Sequence, residues 1–173
     1  ARLSDLASQF LASDHVVSLG GTEESLFTTV EMLAVQQRIA ARFSHGLHRG
    51  AHLVPEGHVI DAFIAHPHLT DEQQALVRSW CTSGHRYQAA VGRAGAGKTT
   101  TVAACANAWA AAGLRVVGAA VKGEAARTLA ATGIQCETVA WYLSHDDPER
   151  LPLDSRTVLV IDDEAGPRDA LKV

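Results

Sequence analysis

Residues 92–99 read GRAGAGKT and stand between an apolar run and a long alanine-rich segment. Glycines at this spacing let successive backbone N–H groups face inward as an anion-binding nest, to which a following helix adds its positive end. In this pattern Lys98 reaches the outer phosphates of a nucleoside triphosphate, and the hydroxyl of Thr99 binds Mg²⁺. The stretch predicts a nucleotide site with contacts from Gly92, Gly95, Ala96, Gly97, Lys98, Thr99 and Thr100.

Around this loop the chain alternates between strand and helix patterns. We predict strands at residues 87–91, 115–119 and 157–161, and helices at residues 70–81, 99–112, 124–132 and 139–143. Gly113 and Gly133 are placed to end two of these helices. Such alternation implies an α/β fold, with a parallel sheet covered by helices on both faces and the ligand at the carboxyl ends of the strands. We predict this phosphate-loop (P-loop) domain over residues 67–173.

The preceding residues, 1–66, are predicted to form a small, mainly helical N-terminal region. Thr28 and Glu31 make a capping-box pattern at the start of its longest predicted helix. In this region we predict three helices, at about residues 4–12, 28–44 and 57–65.

Composition limits the class of protein. With 173 residues and a net charge of −4, the chain can hold one domain with a sizeable core, but it is short for a nucleotide-driven motor, which needs two such domains. Three widely spaced cysteines (81, 105 and 136) indicate reduced, mostly buried thiols. The sequence has neither a membrane-spanning apolar run nor signal-peptide features, so we expect a cytoplasmic protein.

A second chemical signal follows the last predicted strand, where three acids come in a row at residues 162–164. A buried strand that ends in acids can deliver one carboxylate to Mg²⁺ beside a phosphate loop, and a neighbouring acid can orient the attacking water. We assign Asp163 to the metal and Glu164 to water activation. Asp162 is the less favoured alternative for the metal.

Gln73 lies about twenty residues before the phosphate loop and has two interpretations. With Thr70 it makes a capping box, which would explain it structurally. Its side-chain amide also offers the paired donor and acceptor that can read an adenine edge. Its position leaves both interpretations open.

Residues 118–129 begin where a predicted strand ends and include Lys122, Gly123 and Arg127. A helix start with basic side chains suits the phosphates of a nucleic acid, but a solvated helix start explains the same residues. Trp141 and Tyr142 could stack on a base, although a core position is favoured for at least one of them. The histidines at positions 45, 48 and 52 are irregularly spaced, which favours surface residues over a metal site.

Five segments in this order resemble the amino-terminal half of a RecD-like superfamily-one DNA helicase: residues 69–73, 91–101, 118–129, 138–139 and 158–166. Residues 27–33 and 120–142 are most similar to the helicase region of a MobF-type conjugative relaxase of the TraA/TrwC kind. The resemblance covers roughly residues 10–166, and the two phosphate-site motifs are its specific part.

The resemblance implies a RecA-like, ATP-driven motor that moves along single-stranded DNA. In such a motor the residue at Gln73 contacts adenine, Asp163 and Glu164 form the acidic pair, and residues 120–127 contact DNA. Two departures stand out: VKGE at residues 121–124 replaces the more usual PTGK, and Pro167 replaces a methionine. A second RecA-like domain, with its rate-enhancing arginine, and a relaxase nickase site are both missing from these residues. We expect the chain by itself to bind Mg-ATP weakly and to hydrolyse it negligibly.

Two other functions fit the phosphate loop less well. A small-molecule kinase would use the same loop, but Glu164 suits activation of water, and no arginine-rich lid follows. A non-catalytic module that binds nucleotide or DNA would explain the loop after catalytic decay, but Lys98, Thr99 and both acids are retained.

Overall fold

The computed structural model describes residues 2–20, 26–93, 95–144 and 153–162. By contacts the chain divides into two compact units, Ala1–Leu47 and His48–Val173. The domain boundary after residue 66 remains a prediction, and residues 48–66 here belong to the second unit.

The first unit contains two helices and a hairpin. Helix α1 (Leu3–Leu11) is followed by strands β1 (Val16–Gly20) and β2 (Leu26–Thr29), which pair antiparallel, and by helix α2 (Val30–Gly46). The cap of α2 is Thr29, whose hydroxyl accepts a 3.1 Å hydrogen bond from the Met32 N–H. The cap predicted at Thr28 is therefore one residue early, because β2 holds Thr28 in extended pairing with Val17. Sequence patterns did not predict the hairpin.

The helices of the second unit begin and end close to their predicted positions. Local hydrogen bonds explain this, since Thr70 caps its helix in a complete capping box and Gly113 and Gly133 adopt left-handed φ angles of 76° and 88° after theirs. They are α3 (Glu56–Ala65), α4 (Asp71–Thr82), α5 (Lys98–Ala111), α6 (Gly123–Ala130) and α7 (Val139–Ser144).

Three parallel strands form the sheet, as predicted for an α/β fold. They are β3 (Arg115–Ala120), β4 (Gln135–Thr138) and β5 (Thr157–Asp162), in the spatial order β4-β3-β5. Ala120 pairs with both Thr138 and Asp162, so the last residues of the three strands lie side by side. Strand β4 was not predicted as a strand.

The strand predicted at residues 87–91 is wrong. These residues are described, but they have no strand pairing, and Val91 is fully exposed. Gln88 instead donates a 3.0 Å hydrogen bond to the Trp80 carbonyl at the end of α4. A strand needs a partner ladder, which a short apolar run does not supply by itself.

The core lies between α3, α4, α5 and the sheet. Val59, Val77 and Ala108 from the three helices are fully buried in one cluster, and Val116 and Val160 of the sheet pack against it. Cys81 and Cys105 are buried there as free thiols, and Cys136 is half-buried, which confirms the predicted state of the cysteines. Contact with Cys81, together with burial, raises the pKa of the Cys105 thiol, so this thiol stays protonated.

Candidate nucleotide-binding site

The phosphate loop has the backbone shape that its glycines predict. Gly95 and Gly97 adopt left-handed φ angles of 79° and 75°, which a residue with a Cβ rarely takes up. The Ala96 N–H donates a 3.1 Å hydrogen bond to the Arg93 carbonyl, which closes a tight turn. Helix α5 begins immediately afterwards with Gly97 as its N-cap, so the first N–H groups of the helix are directed at the loop.

Chain geometry puts this loop at the carboxyl edge of the sheet. Helix α5 has 14 residues and spans about 21 Å, while the six residues of β3 span about 20 Å. The chain reverses at Gly113 between the two elements, and α5 packs back along the strands through Val102 and Ala106 against Val116 and Val160. The start of α5 is therefore level with the end of β3.

Lys98 is the first residue of α5, and its ammonium group folds back over the loop. Its Nζ donates hydrogen bonds to the carbonyl oxygens of Gly92 at 3.0 Å and Arg93 at 3.3 Å. Both acceptors are neutral, and the lysine side chain is exposed. A phosphate group would be a stronger, charged acceptor, so the lysine can exchange these partners for a ligand at little cost.

Thr99 and Thr100 lie exposed in the first turn of α5, whereas Thr101 is buried. The hydroxyl of Thr101 donates a 3.1 Å hydrogen bond to the Gly97 carbonyl and so supports the helix start. Thr99, the threonine predicted to bind Mg²⁺, is thus exposed to solvent.

Gln73 completes the capping box of α4 and also contacts the phosphate loop. Its side-chain oxygen accepts a 2.9 Å hydrogen bond from the Thr70 N–H, which completes the capping box of α4. Its side-chain nitrogen donates a 3.0 Å hydrogen bond to the Ala96 carbonyl. The structure therefore brings Gln73 to the phosphate loop, a contact across 23 positions that local sequence patterns do not reveal.

The acidic end of β5 is only partly described. Asp162 is the last residue of the strand and lies beside Ala120 at the carboxyl edge. Strand alternation puts it on the same face as Val158 and Val160, which pack against α5. The preferred assignments, Asp163 and Glu164, lie outside the described residues.

Residues 121–127, which we call the basic segment, follow β3 along the same edge of the sheet. Val121 is 60% exposed, and Lys122 and Arg127 are exposed at the start and on the outer side of α6. Ala125, Ala126 and Leu129 of this helix are buried against the sheet, so the helix is anchored while its basic residues face solvent. The amphipathic pattern of α6 explains why its alanines and leucine are buried while its basic side chain is exposed.

Tyr142 has a structural role. Its hydroxyl donates a 2.9 Å hydrogen bond to the Gly118 carbonyl, and its ring meets that of Trp141 edge to face at 5.4 Å. Burial, and then the nearby Cys136, raises the pKa of Tyr142. This contact fits the prediction that at least one of the two aromatics packs in the protein.

His45 and His48, two of the three histidines considered for a metal site, make hydrogen bonds within the protein. Among the residues in the described ranges, no group of three or more His, Cys, Asp or Glu side chains is arranged to hold a metal ion. The His45 ring bonds the Ala41 carbonyl, and the His48 N–H donates to the His85 ring at 2.9 Å.

Gly118 is a feature that the sequence did not reveal. A Cβ built on it would lie 2.8 Å from Leu129 Cδ2 and 2.9 Å from Cys136 Sγ. Glycine here leaves room for the side chains of Leu129 of α6 and Cys136 of β4 to pack over β3. A lone glycine inside a predicted strand is the signal that could have indicated this close approach.

Part of the chain matches a known protein family, and most of it is similar in sequence to known proteins. The AAA domain family matches residues 68–172. The chain is 37% identical over 141 residues to a probable conjugal transfer protein TraA of Sinorhizobium fredii, which covers 81% of this chain and 13% of that protein. It is 36% identical over 142 residues to the conjugal transfer protein TraA of Agrobacterium fabrum, with the same coverage.

These relatives are much longer proteins, and the chain spans about 13% of their length. In the part of the chain that the structure describes, no helix is long and apolar enough to cross a membrane.

The phosphate loop, the parallel sheet and the sequence matches all point to the same family. The chain belongs to the AAA domain family, in its RecD-like helicase branch, and is similar to the TraA conjugal transfer proteins.

Proposed function

We propose that this chain is the ATP-binding part of an ATP-dependent helicase or translocase that acts on single-stranded DNA in conjugative plasmid transfer, in the cytoplasm. The observation that carries the proposal is the phosphate loop, with its left-handed glycines and the exposed Lys98, level with the carboxyl ends of three parallel strands. Ligands of open α/β sheets bind at this edge. The names of the relatives support a role in conjugation.

Each site residue then has a task in phosphoryl transfer to water. The backbone N–H groups of Gly95, Gly97 and Thr100 and the start of α5 hold the phosphates, and the Ala96 N–H joins them by exchanging the Arg93 carbonyl for the ligand. Gly92, whose carbonyl accepts from Lys98, completes the loop. Lys98 leaves its loop carbonyls to hold the outer phosphates, and Gln73 contacts the adenine. Mg²⁺, when bound, neutralises phosphate charge.

The metal ligands and the catalytic base complete this assignment. The exposed hydroxyl of Thr99 fits a metal ligand, since hydroxyl and carboxylate oxygens are what Mg²⁺ prefers. Asp163 is the proposed second ligand, directly after the strand end at Asp162. Glu164 orients and deprotonates the attacking water.

The basic segment is the proposed DNA contact. Lys122 and Arg127 are exposed next to the same edge of the sheet, and phosphates bind basic side chains and helix starts. DNA bound there would be close enough to the nucleotide for one to respond to the other. Glu124 in the first turn of α6 weakens this surface for an anion, so Lys122 and Arg127 supply the attraction.

We expect this chain to work as part of a longer protein, like its relatives, and call that protein the parent protein. ATP turnover would require groups from elsewhere in the parent protein. In two-domain motors an arginine from the second domain stabilises the transferring phosphoryl group and contributes roughly 10³ to 10⁵ in rate. We therefore expect these 173 residues to bind Mg-ATP weakly and to hydrolyse it negligibly. A robust DNA-stimulated ATPase activity of the chain by itself would contradict this.

The test compares two lysine variants in the parent protein. Lys98→Ala should abolish ATP hydrolysis with and without single-stranded DNA. Lys122→Ala should keep the basal rate but need more DNA for half-maximal stimulation. Binding of ATP without any turnover would favour a non-catalytic module, and phosphate transfer to a metabolite would favour a kinase.

A further inference from the structure

The side-chain amide of Gln73 has one defined orientation. Its oxygen accepts from the Thr70 N–H at 2.9 Å, and its nitrogen donates to the Ala96 carbonyl at 3.0 Å. The reversed amide would face a donor with a donor and an acceptor with an acceptor, so it would lose both hydrogen bonds. The cap of α4 therefore directs the amide nitrogen at the phosphate loop.

The bond to Ala96 controls a peptide group that glycines leave free to rotate. Gly95 and Gly97 flank Ala96, and both are in left-handed conformations. In a planar trans peptide the carbonyl and the N–H point in opposite directions. Holding the Ala96 carbonyl against α4 therefore turns the Gly97 N–H away from α4, and rotation of this peptide would reverse both groups.

Gly97 lies against the same side chain. A Cβ on Gly97 would collide with the Gln73 side-chain nitrogen. Gly97 is also the N-cap of α5, and its carbonyl accepts from both the N–H and the hydroxyl of Thr101. One side chain from α4 therefore contacts the loop at the point where the helix that carries Lys98 begins.

From these contacts we infer that Gln73 is a positioning residue for the phosphate loop, which it holds in its anion-binding shape whatever base the nucleotide carries. The inference rests on the proposed function, because it requires that the loop bind phosphates. It is compatible with adenine contact, since the amide keeps one N–H and one oxygen lone pair for a base. It adds a role that does not depend on the base.

The test uses a ligand without a base. In the parent protein, Gln73→Met keeps the side-chain length but removes both hydrogen bonds, and it should weaken Mg-tripolyphosphate binding about tenfold, the effect of roughly one lost hydrogen bond. Binding of Mg-ATP and Mg-GTP should weaken by at least that factor. The matched control is Gln74→Met, because the Gln74 side chain donates to the Leu69 carbonyl and has no bond to the loop. Its affinity for tripolyphosphate should equal that of the wild type.

A second variant separates the loop contact from the stability of α4. Gln73→Glu keeps an oxygen for the Thr70 N–H but has no donor for Ala96, so its melting temperature should stay near that of the wild type. Its tripolyphosphate binding should weaken at least as much as that of Gln73→Met, because the added negative charge also repels the ligand. Unchanged tripolyphosphate binding in Gln73→Met, with only ATP affinity reduced, would overturn the inference and leave Gln73 as a base reader. If the wild type bound neither ATP nor tripolyphosphate, the proposed function would fall, and the inference with it.

Discussion

The two ends of the parallel sheet use their polar residues differently. At the amino end, Arg115 donates to the Thr157 hydroxyl at 3.0 Å, and that hydroxyl donates to Asp154 at 2.7 Å. At the carboxyl end, Lys98 bonds neutral carbonyls of its own loop, and Lys122 is exposed. Arg115, Thr157 and Asp154 at the amino end thus bond one another, while Lys98 and Lys122 at the carboxyl end are accessible to a ligand. Substitutions at the two ends should therefore separate stability from activity.

The largest separation is expected for aspartates. Asp163→Asn removes the proposed metal carboxylate, so ATP hydrolysis by the parent protein should fall on the order of 10² to 10³-fold with little change in melting temperature. Asp154→Asn at the amino end should lower the melting temperature and leave the ATPase rate unchanged. Asp162→Asn tests the alternative assignment: if its ATPase loss exceeds that of Asp163→Asn, Asp162 is the metal ligand.

A substitution at Gly118, which lies within β3, should alter the packing of this strand. Gly118→Ala puts a methyl group 2.8 Å from Leu129 Cδ2, and such overpacking costs about 1–3 kcal/mol of unfolding free energy. Gly123→Ala is the matched control, since nothing lies within 4 Å of its added Cβ and it sits in α6. Chemical denaturation compares the two, and equal stability of both variants would contradict the close approach at Gly118.

Two threonine substitutions, one at each end of the sheet, should separate stability from activity by a smaller amount. Thr157 is 9% exposed, and its hydroxyl both accepts from Arg115 and donates to Asp154, so Thr157→Val should cost about 1–2 kcal/mol. Thr99→Val should change stability by less than about 0.5 kcal/mol. It should raise the Mg²⁺ concentration needed for ATP hydrolysis. Denaturation and a Mg²⁺ titration of the ATPase rate check the pair.

Helices and strands differ in how far the sequence predicted them. The helix limits at Thr70, Gly113 and Gly133 depend on hydrogen bonds within a few residues, so local patterns predicted them well. Strands depend on partners distant in sequence. For this reason β4 was missed, and the apolar residues 87–91 were wrongly predicted to pair.

The candidate site shows the same limit. The glycine spacing predicted the loop conformation, because only glycine readily adopts the φ angles at positions 95 and 97. The hydrogen bond between Gln73 and Ala96 joins residues 23 positions apart and became visible only when α4 and α5 were packed together. The roles of Asp163 and Glu164 remain predictions.

The smallest expected effect is a pH dependence of stability that originates at the amino end. The hydrogen bond from Thr157, and then that from the Arg156 N–H, lower the pKa of Asp154. A carboxyl group with a lowered pKa in the folded state stabilises the fold above its unfolded pKa, about 3.9, and loses this contribution as the pH falls through its folded value. The melting temperature of the wild type should therefore drop more steeply below about pH 4 than that of Asp154→Asn. Parallel curves for the two proteins would mean that these hydrogen bonds do not favour the charged carboxylate. Thr157→Val removes the first of the two donors, so its curve should lie between them, which ties the effect to the network rather than to the overall charge of the protein.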